Sequence, residues 1–119
     1  MRRDVRAFLW DMREAADLVG QFTADVDVHR YLDDELLRSA VERQMQNLGE
    51  ALAQLAKTSP TLAARIPEHR RIIAFRNVLV HGYAELNHTR VWETTQSDLP
   101  ALKAAVGALL TELDPPGTP

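Results

Sequence analysis

Cysteine is absent from the 119-residue chain, so it holds no disulfide, iron–sulfur cluster, thiolate zinc site or cysteine nucleophile. Long hydrophobic runs are missing too. The uncharged stretch from Ala104 to Thr111 falls well short of the ~18 residues of a membrane span, and it contains Gly107. Behind Met1-Arg2-Arg3-Asp4, the charges of Arg6, Asp11 and Arg13 leave no apolar region of a secretion signal. A cytoplasmic protein without membrane association is expected. Positive charge is in short supply: the net charge is −3, which argues against a broad nucleic-acid-coating surface. There is no glycine-rich phosphate loop and no Ser/His/Asp arrangement, and His29, His69 and His88 lack the paired spacing of metal ligands. No metal and no cofactor are expected.

The residues that are present describe one small helical domain. Hydrophobic residues make up 45% and charged residues 26%, the balance of a globular protein. Apolar positions recur at i, i+3/i+4 through Phe8, Met12, Ala15, Ala16, Val19 and Phe22, which predicts a helix over about Arg3 to Phe22. Thr23 to Val28 reads as a loop. Leu37, Val41, Met45, Leu48, Leu52 and Leu55 form the seam of a longer helix over about Asp33 to Lys57. Ser59 and Pro60 suit the cap and first position of a short turn reaching Arg65. Pro67 is expected to open a third substantial helix, with Glu68 in its first turn and Ile72, Phe75 and Leu79 inward, flanked by Val78. Gly82 should end it near His81. Residues 84–96 read as polar and irregular. Ser97 and Pro100 should start the last helix, with Leu102, Val106, Leu109, Leu110 and Leu113 inward. The expected architecture is an all-α antiparallel four-helix bundle with a short extra helix. It forms one domain over residues 1–113, followed by a disordered tail over residues 114–119. A core this small makes dimerisation an unsurprising supplement.

Charge is distributed unevenly. Arg65, Arg70, Arg71 and Arg76 against Glu68 give the segment from Arg65 to His81 a formal +3, leaving −6 for the rest. The informative stretch is Arg76-Asn77-Val78-Leu79-Val80-His81-Gly82-Tyr83. At 100° per residue Asn77 and His81 lie about 40° apart, and Arg76, Asn77 and His81 span an arc of about 140° opposite the Phe75/Val78 side. Ala74 leaves space within that arc. A cation, an amide and an imidazole gathered at a helix C-terminus suit a phosphodiester: arginine pairs bidentately with phosphate oxygens, and histidine moves protons near neutral pH. Each residue taken singly has a plainer explanation. Arginines are usually solvated, a terminal histidine suits the helix dipole, and Tyr83 could be a core aromatic with its hydroxyl at the rim.

Arg-x4-His-x-Tyr, as Arg76, His81 and Tyr83 with Asn77 directly after the arginine, resembles the motif of the HepT-like branch of HEPN proteins. Leu48-Gly49-Glu50-Ala51 resembles that branch's Ile-Gly-Glu-Ala segment, and Arg90-Val91-Trp92 with Asp98-Leu99-Pro100 resembles the stretch after the motif. The likeness covers most of residues 4 to 113. One departure is Pro67-Glu68-His69-Arg70-Arg71, more basic than the family's segment, which often carries a tryptophan. The resemblance implies an all-α homodimer whose two motifs meet in a cleft at the interface. It implies metal-independent RNA cleavage, in which the 2′-hydroxyl attacks the adjacent phosphate and leaves a 2′,3′-cyclic phosphate. In that scheme His81 is the general acid/base, Arg76 stabilises charge on the phosphorane and Asn77 positions. It also implies a toxin–antitoxin pairing with a minimal nucleotidyltransferase that adds AMP to Tyr83 and so closes the cleft. An adenylate on Tyr83 would share a helical face with Arg76 and mimic substrate.

Arg43, Asn47, Glu50 and Gln54 form a polar stripe roughly opposite the Val41/Leu48 seam, read equally as solvent-facing surface or as part of a cleft or dimer contact. With Leu36 beside that stripe, the helix could be buried from both sides and Glu50 could meet an arginine. Gly49 in mid-helix costs about 1 kcal/mol against alanine, which suggests a close helix approach. Arg65, Arg70 and Arg71 are candidates for guiding RNA electrostatically, or simply a solvated face. The alternative to a ribonuclease is a non-catalytic module that docks a nucleotidyltransferase or a nucleotide with the same arginine and histidine; a third reading is a dimerising bundle without a site.

Overall fold

Side-chain caps punctuate the chain. Asp4 accepts a hydrogen bond from the Arg6 amide at 2.8 Å and starts α1, Val5–Phe22. Asp27 does the same for Arg30 at 2.8 Å ahead of α2, Val28–Asp33, and Asp34 for Leu37 at 2.9 Å ahead of α3, Glu35–Thr58. Such caps satisfy amides that the helix itself cannot, each stabilising by about 1 kcal/mol. Pro60 at the first position opens the short α4, Pro60–Ala64. Then follow α5, His69–His81; α6, His88–Ser97, capped by Asn87; and α7, Leu99–Leu113. The computed structural model describes residues 4–82 and 86–113, and among these every element is helical.

α3 is the axis of the molecule. α1, α2, α4 and α5 all pack on it, while α7 lies on α1 and α6 bridges α7 and α2. Met12, Val19, Tyr31, Val41, Met45, Leu48, Leu52, Ile72, Leu102 and Val106 are essentially sealed from solvent in one core. These are largely the stripes that the 3.6-residue period singles out, because each helix must bury its apolar face against another.

The structure corrects four expectations. Residues 28–33 are helical and separate from α3, since Asp34 ends α2 and caps α3. The stretch expected to be irregular contains α6, whose Val91 and Thr95 are buried one turn apart. Ser97 is accordingly the last residue of α6, and α7 begins after Asp98. Pro67 precedes α5: Ile66 is buried, Glu68 turns the chain at φ +60°, and the helix starts at His69. The four helices and one short extra expected from the pattern are thus seven helical segments among the described residues. The expected tail over residues 114–119 lies outside them.

Candidate active site

Glycine 49 decides where the motif helix sits. A Cβ at this position would stand 2.3 Å from Arg76 Cβ, 2.8 Å from Arg76 Cγ and 3.4 Å from the Ile72 carbonyl oxygen. Only a residue without a side chain lets α5 approach α3 this closely, which is why the helix tolerates glycine's cost there. Gln46 of α3 donates to the Leu79 carbonyl at 3.4 Å, one further bond between these helices. At the far end Gly82 adopts φ +59° and its amide bonds the Val78 carbonyl at 3.0 Å, closing α5 directly after His81.

The approach fixes Arg76. Its side chain is 26% exposed. One terminal nitrogen donates to Asn77 Oδ1 at 2.6 Å, and the other forms an ion pair with Glu50 of α3. Nε is buried without a hydrogen-bond partner among the described residues. Glu50 is itself held: Gln54, one turn on, donates to its second oxygen at 3.2 Å. The Gln54 amide first, then the Arg76 guanidinium, keep the Glu50 carboxyl below the usual glutamate range, against the opposing effect of burial. Asn77 and His81 are exposed on the same side of α5. The arginine is gripped from both sides in a fixed orientation, by Asn77 and by Glu50. Such a fork can receive two phosphate oxygens in a plane, beside an imidazole able to give or take a proton.

The other candidates separate into groups. Asn47 is exposed and donates to Gln44 at 3.4 Å; with Glu50 and Gln54 it lines a cleft of about 400 Å³ between α1 and α3. Arg43 is exposed outside that cleft, and Leu36 is 82% exposed. Arg65 pairs with Glu112 at 2.5 Å, tying the end of α4 to α7, and Arg71 pairs with Asp98 at 2.8 Å and Glu68 at 3.4 Å. Arg70 alone of that basic group has no ion pair among the described residues. Tyr83 lies outside the described residues. Gln54, a member of the polar stripe read with Glu50, holds that carboxylate as their i+4 spacing allows, and Gln46 is a contributor that the sequence did not single out. No three His, Cys, Asp or Glu side chains among the described residues cluster as metal ligands.

The family model described as "Ribonuclease HepT-like" matches residues 12–109. The chain is 30% identical over 105 residues to "Putative RNase MJ1380" of Methanocaldococcus jannaschii, covering 88% of this chain and 95% of that protein. It is also 30% identical over 103 residues to "Probable ribonuclease HepT" of Thermococcus cleftensis, covering 87% of this chain and 93% of that protein. No solved structure matches the chain.

Proposed function

The chain belongs to the HepT-like ribonuclease family, and from that premise we propose that it is a metal-independent endoribonuclease of the HEPN type, acting as the toxin of a toxin–antitoxin pair. The observation that carries this reading is the fixed fork of Arg76, with Asn77 and His81 exposed on the same side of one helix.

Cleavage then proceeds by internal transesterification. The 2′-oxygen of RNA forms a bond to the adjacent phosphorus as the bond to the 5′-oxygen breaks. The proton lost from the 2′-hydroxyl is balanced by one gained on the 5′-oxygen, leaving a 2′,3′-cyclic phosphate and a 5′-hydroxyl. His81 serves as the general acid/base. Arg76 lies where the phosphorane's negative charge builds up, and a guanidinium held in place beforehand need not reorganise as that charge develops. Asn77 and Glu50 set the plane of the fork. Because Glu50 holds Arg76 in the absence of substrate, an incoming phosphate must share or displace it; the Glu50 carboxylate is half exposed, so its return to water is not costly.

The family likeness extends the proposal to a homodimer in which two such motifs face one cleft, and to a minimal nucleotidyltransferase antitoxin that transfers AMP to Tyr83. An adenylate there blocks substrate by bulk and charge. A second reading, a binding module that docks a nucleotidyltransferase or a nucleotide without cleaving, draws on the carboxylate already seated on Arg76.

The mechanism is tested with an oligoribonucleotide carrying one 2′-deoxy residue at a mapped cleavage position. Cleavage there should disappear while neighbouring sites are still cut, and the remaining products should end in cyclic phosphate. Cleavage at the deoxy position would remove 2′-hydroxyl attack from the account.

A further inference from the structure

α5 and α6 are connected in sequence but do not pack along their lengths, and a cleft of about 470 Å³ lies between them. That volume admits a nucleotide. Its floor is apolar, formed by Ala74, Phe75 and Val78, and Val78 is 46% exposed although it stands on the side of α5 that its period assigns to the interior. Val78 precedes His81 by three positions and Ala74 by seven, which puts these two within about 60° of the imidazole at that edge of the arc, whereas Arg76 stands on the far side of the helix from Val78.

The charges lining the cleft differ in what they are free to do. Arg71 donates to both oxygens of Asp98, at 2.8 and 2.9 Å, and the Asp98 side chain is 12% exposed, so this pair closes one end and cancels itself. Arg90 lines the cleft from the first turn of α6 and its guanidinium has no partner among the described residues. Glu93, three positions on, also lines the cleft and does not pair with it. A cation in a first turn is opposed by the helix dipole, so local structure gives no reason for an arginine there. An unengaged guanidinium beside an aromatic and aliphatic floor, whose Val78 lies one turn of α5 before His81, matches the way single-stranded nucleic acid is held: a base on the apolar surface, a phosphate on the cation.

We propose that the α5/α6 cleft is the subsite for the nucleotide flanking the scissile linkage of single-stranded RNA, with Phe75 and Val78 against the base and Arg90 on the flanking phosphate. The assignment rests on the ribonuclease reading above. Binding is measured by fluorescence anisotropy with a labelled, cleavage-resistant 2′-O-methyl oligonucleotide across a salt series, for the wild type, Arg90→Ala and the exposed control Arg30→Ala. Arg90→Ala should weaken binding roughly tenfold and flatten the slope of log K against log salt by about 0.7, the value of one phosphate contact on a single strand. Arg30→Ala should stay within about twofold of the wild type. With a cleavable RNA, Arg90→Ala should raise KM and leave kcat in place. A wild type that cuts RNA while Arg90→Ala binds with the same affinity and slope overturns the subsite and leaves the ribonuclease standing. A wild type that neither binds nor cuts RNA removes both. An altered oligomeric state at unchanged RNA affinity would make the cleft a protein contact and likewise overturn the subsite.

Discussion

Replacing Gly49 with alanine should destabilise the protein, against the ordinary effect of that substitution in a helix. Alanine is favoured over glycine by about 1 kcal/mol in a helix interior. At this position the new methyl would lie 2.3 Å from Arg76 Cβ, whereas carbon atoms in contact normally keep about 3.5–4.0 Å. Cβ is the root of the arginine side chain, so no rotamer change relieves the clash; α5 must move off α3 by more than about an ångström. Over-packing of this kind costs about 1–3 kcal/mol, leaving a net loss of up to ~2 kcal/mol. For a domain of this size each ~1 kcal/mol lowers the midpoint of thermal unfolding by roughly 3–6 °C. The same movement carries Arg76 and His81 with it, and a misplacement of ~1 Å can cost about 10²-fold in rate. Gly107→Ala supplies the control, because its added Cβ would meet nothing within 4 Å in α7 and should stabilise by up to ~1 kcal/mol. The assay is thermal unfolding followed by circular dichroism, with RNA cleavage rates for the same proteins. A Gly49→Ala protein that melts above the wild type and cuts RNA at the same rate would refute the close approach as what positions the site.

Other outcomes follow from the same geometry. The Glu50 carboxyl is held below its usual range by Gln54 and Arg76, so its stabilisation is complete above the ordinary glutamate range and is lost as pH falls through its depressed value. Wild type should therefore exceed Glu50→Gln in stability near neutral pH by no more than ~1 kcal/mol, given a half-exposed carboxylate, and the difference should vanish in acid; denaturant midpoints at the two pH values check this. Tyr31 is fully buried with a hydroxyl that has no partner among the described residues, so Tyr31→Phe should leave the unfolding midpoint unchanged or raise it by the equivalent of ~1 kcal/mol, and a clear loss would show that the hydroxyl is satisfied. Mass spectrometry of the protein co-expressed with a cognate nucleotidyltransferase should find one AMP on Tyr83, and an unmodified tyrosine beside an active transferase would remove that mode of control.

The long helices were legible because each carries several turns of apolar stripe, and Gly49 and Glu50 announced themselves as a costly mid-helix glycine and a carboxylate on a polar stripe. The pairing of Glu50 with an arginine follows from the same approach of α5. α2 and α6 were not legible. α2 buries only Tyr31 and α6 buries Val91 with the polar Thr95, too little to register as periodicity; their helicity comes from caps at Asp27 and Asn87 and from packing in the tertiary structure. Val78 was assigned to the interior by period alone, and it is exposed because α6 stands away from α5 there. A single helix's pattern carries no information about such a gap.

The most direct test of the central claim compares RNA cleavage by wild type, Arg76→Ala, His81→Ala and the double variant in the presence of EDTA. The two side chains are expected to act as a unit on one linkage: wild type cleaves despite the chelator, each single variant loses at least about 10²-fold, and the double variant falls little further than the worse single one. Equal residual cleavage by all four proteins, or wild-type activity abolished by EDTA, would contradict it.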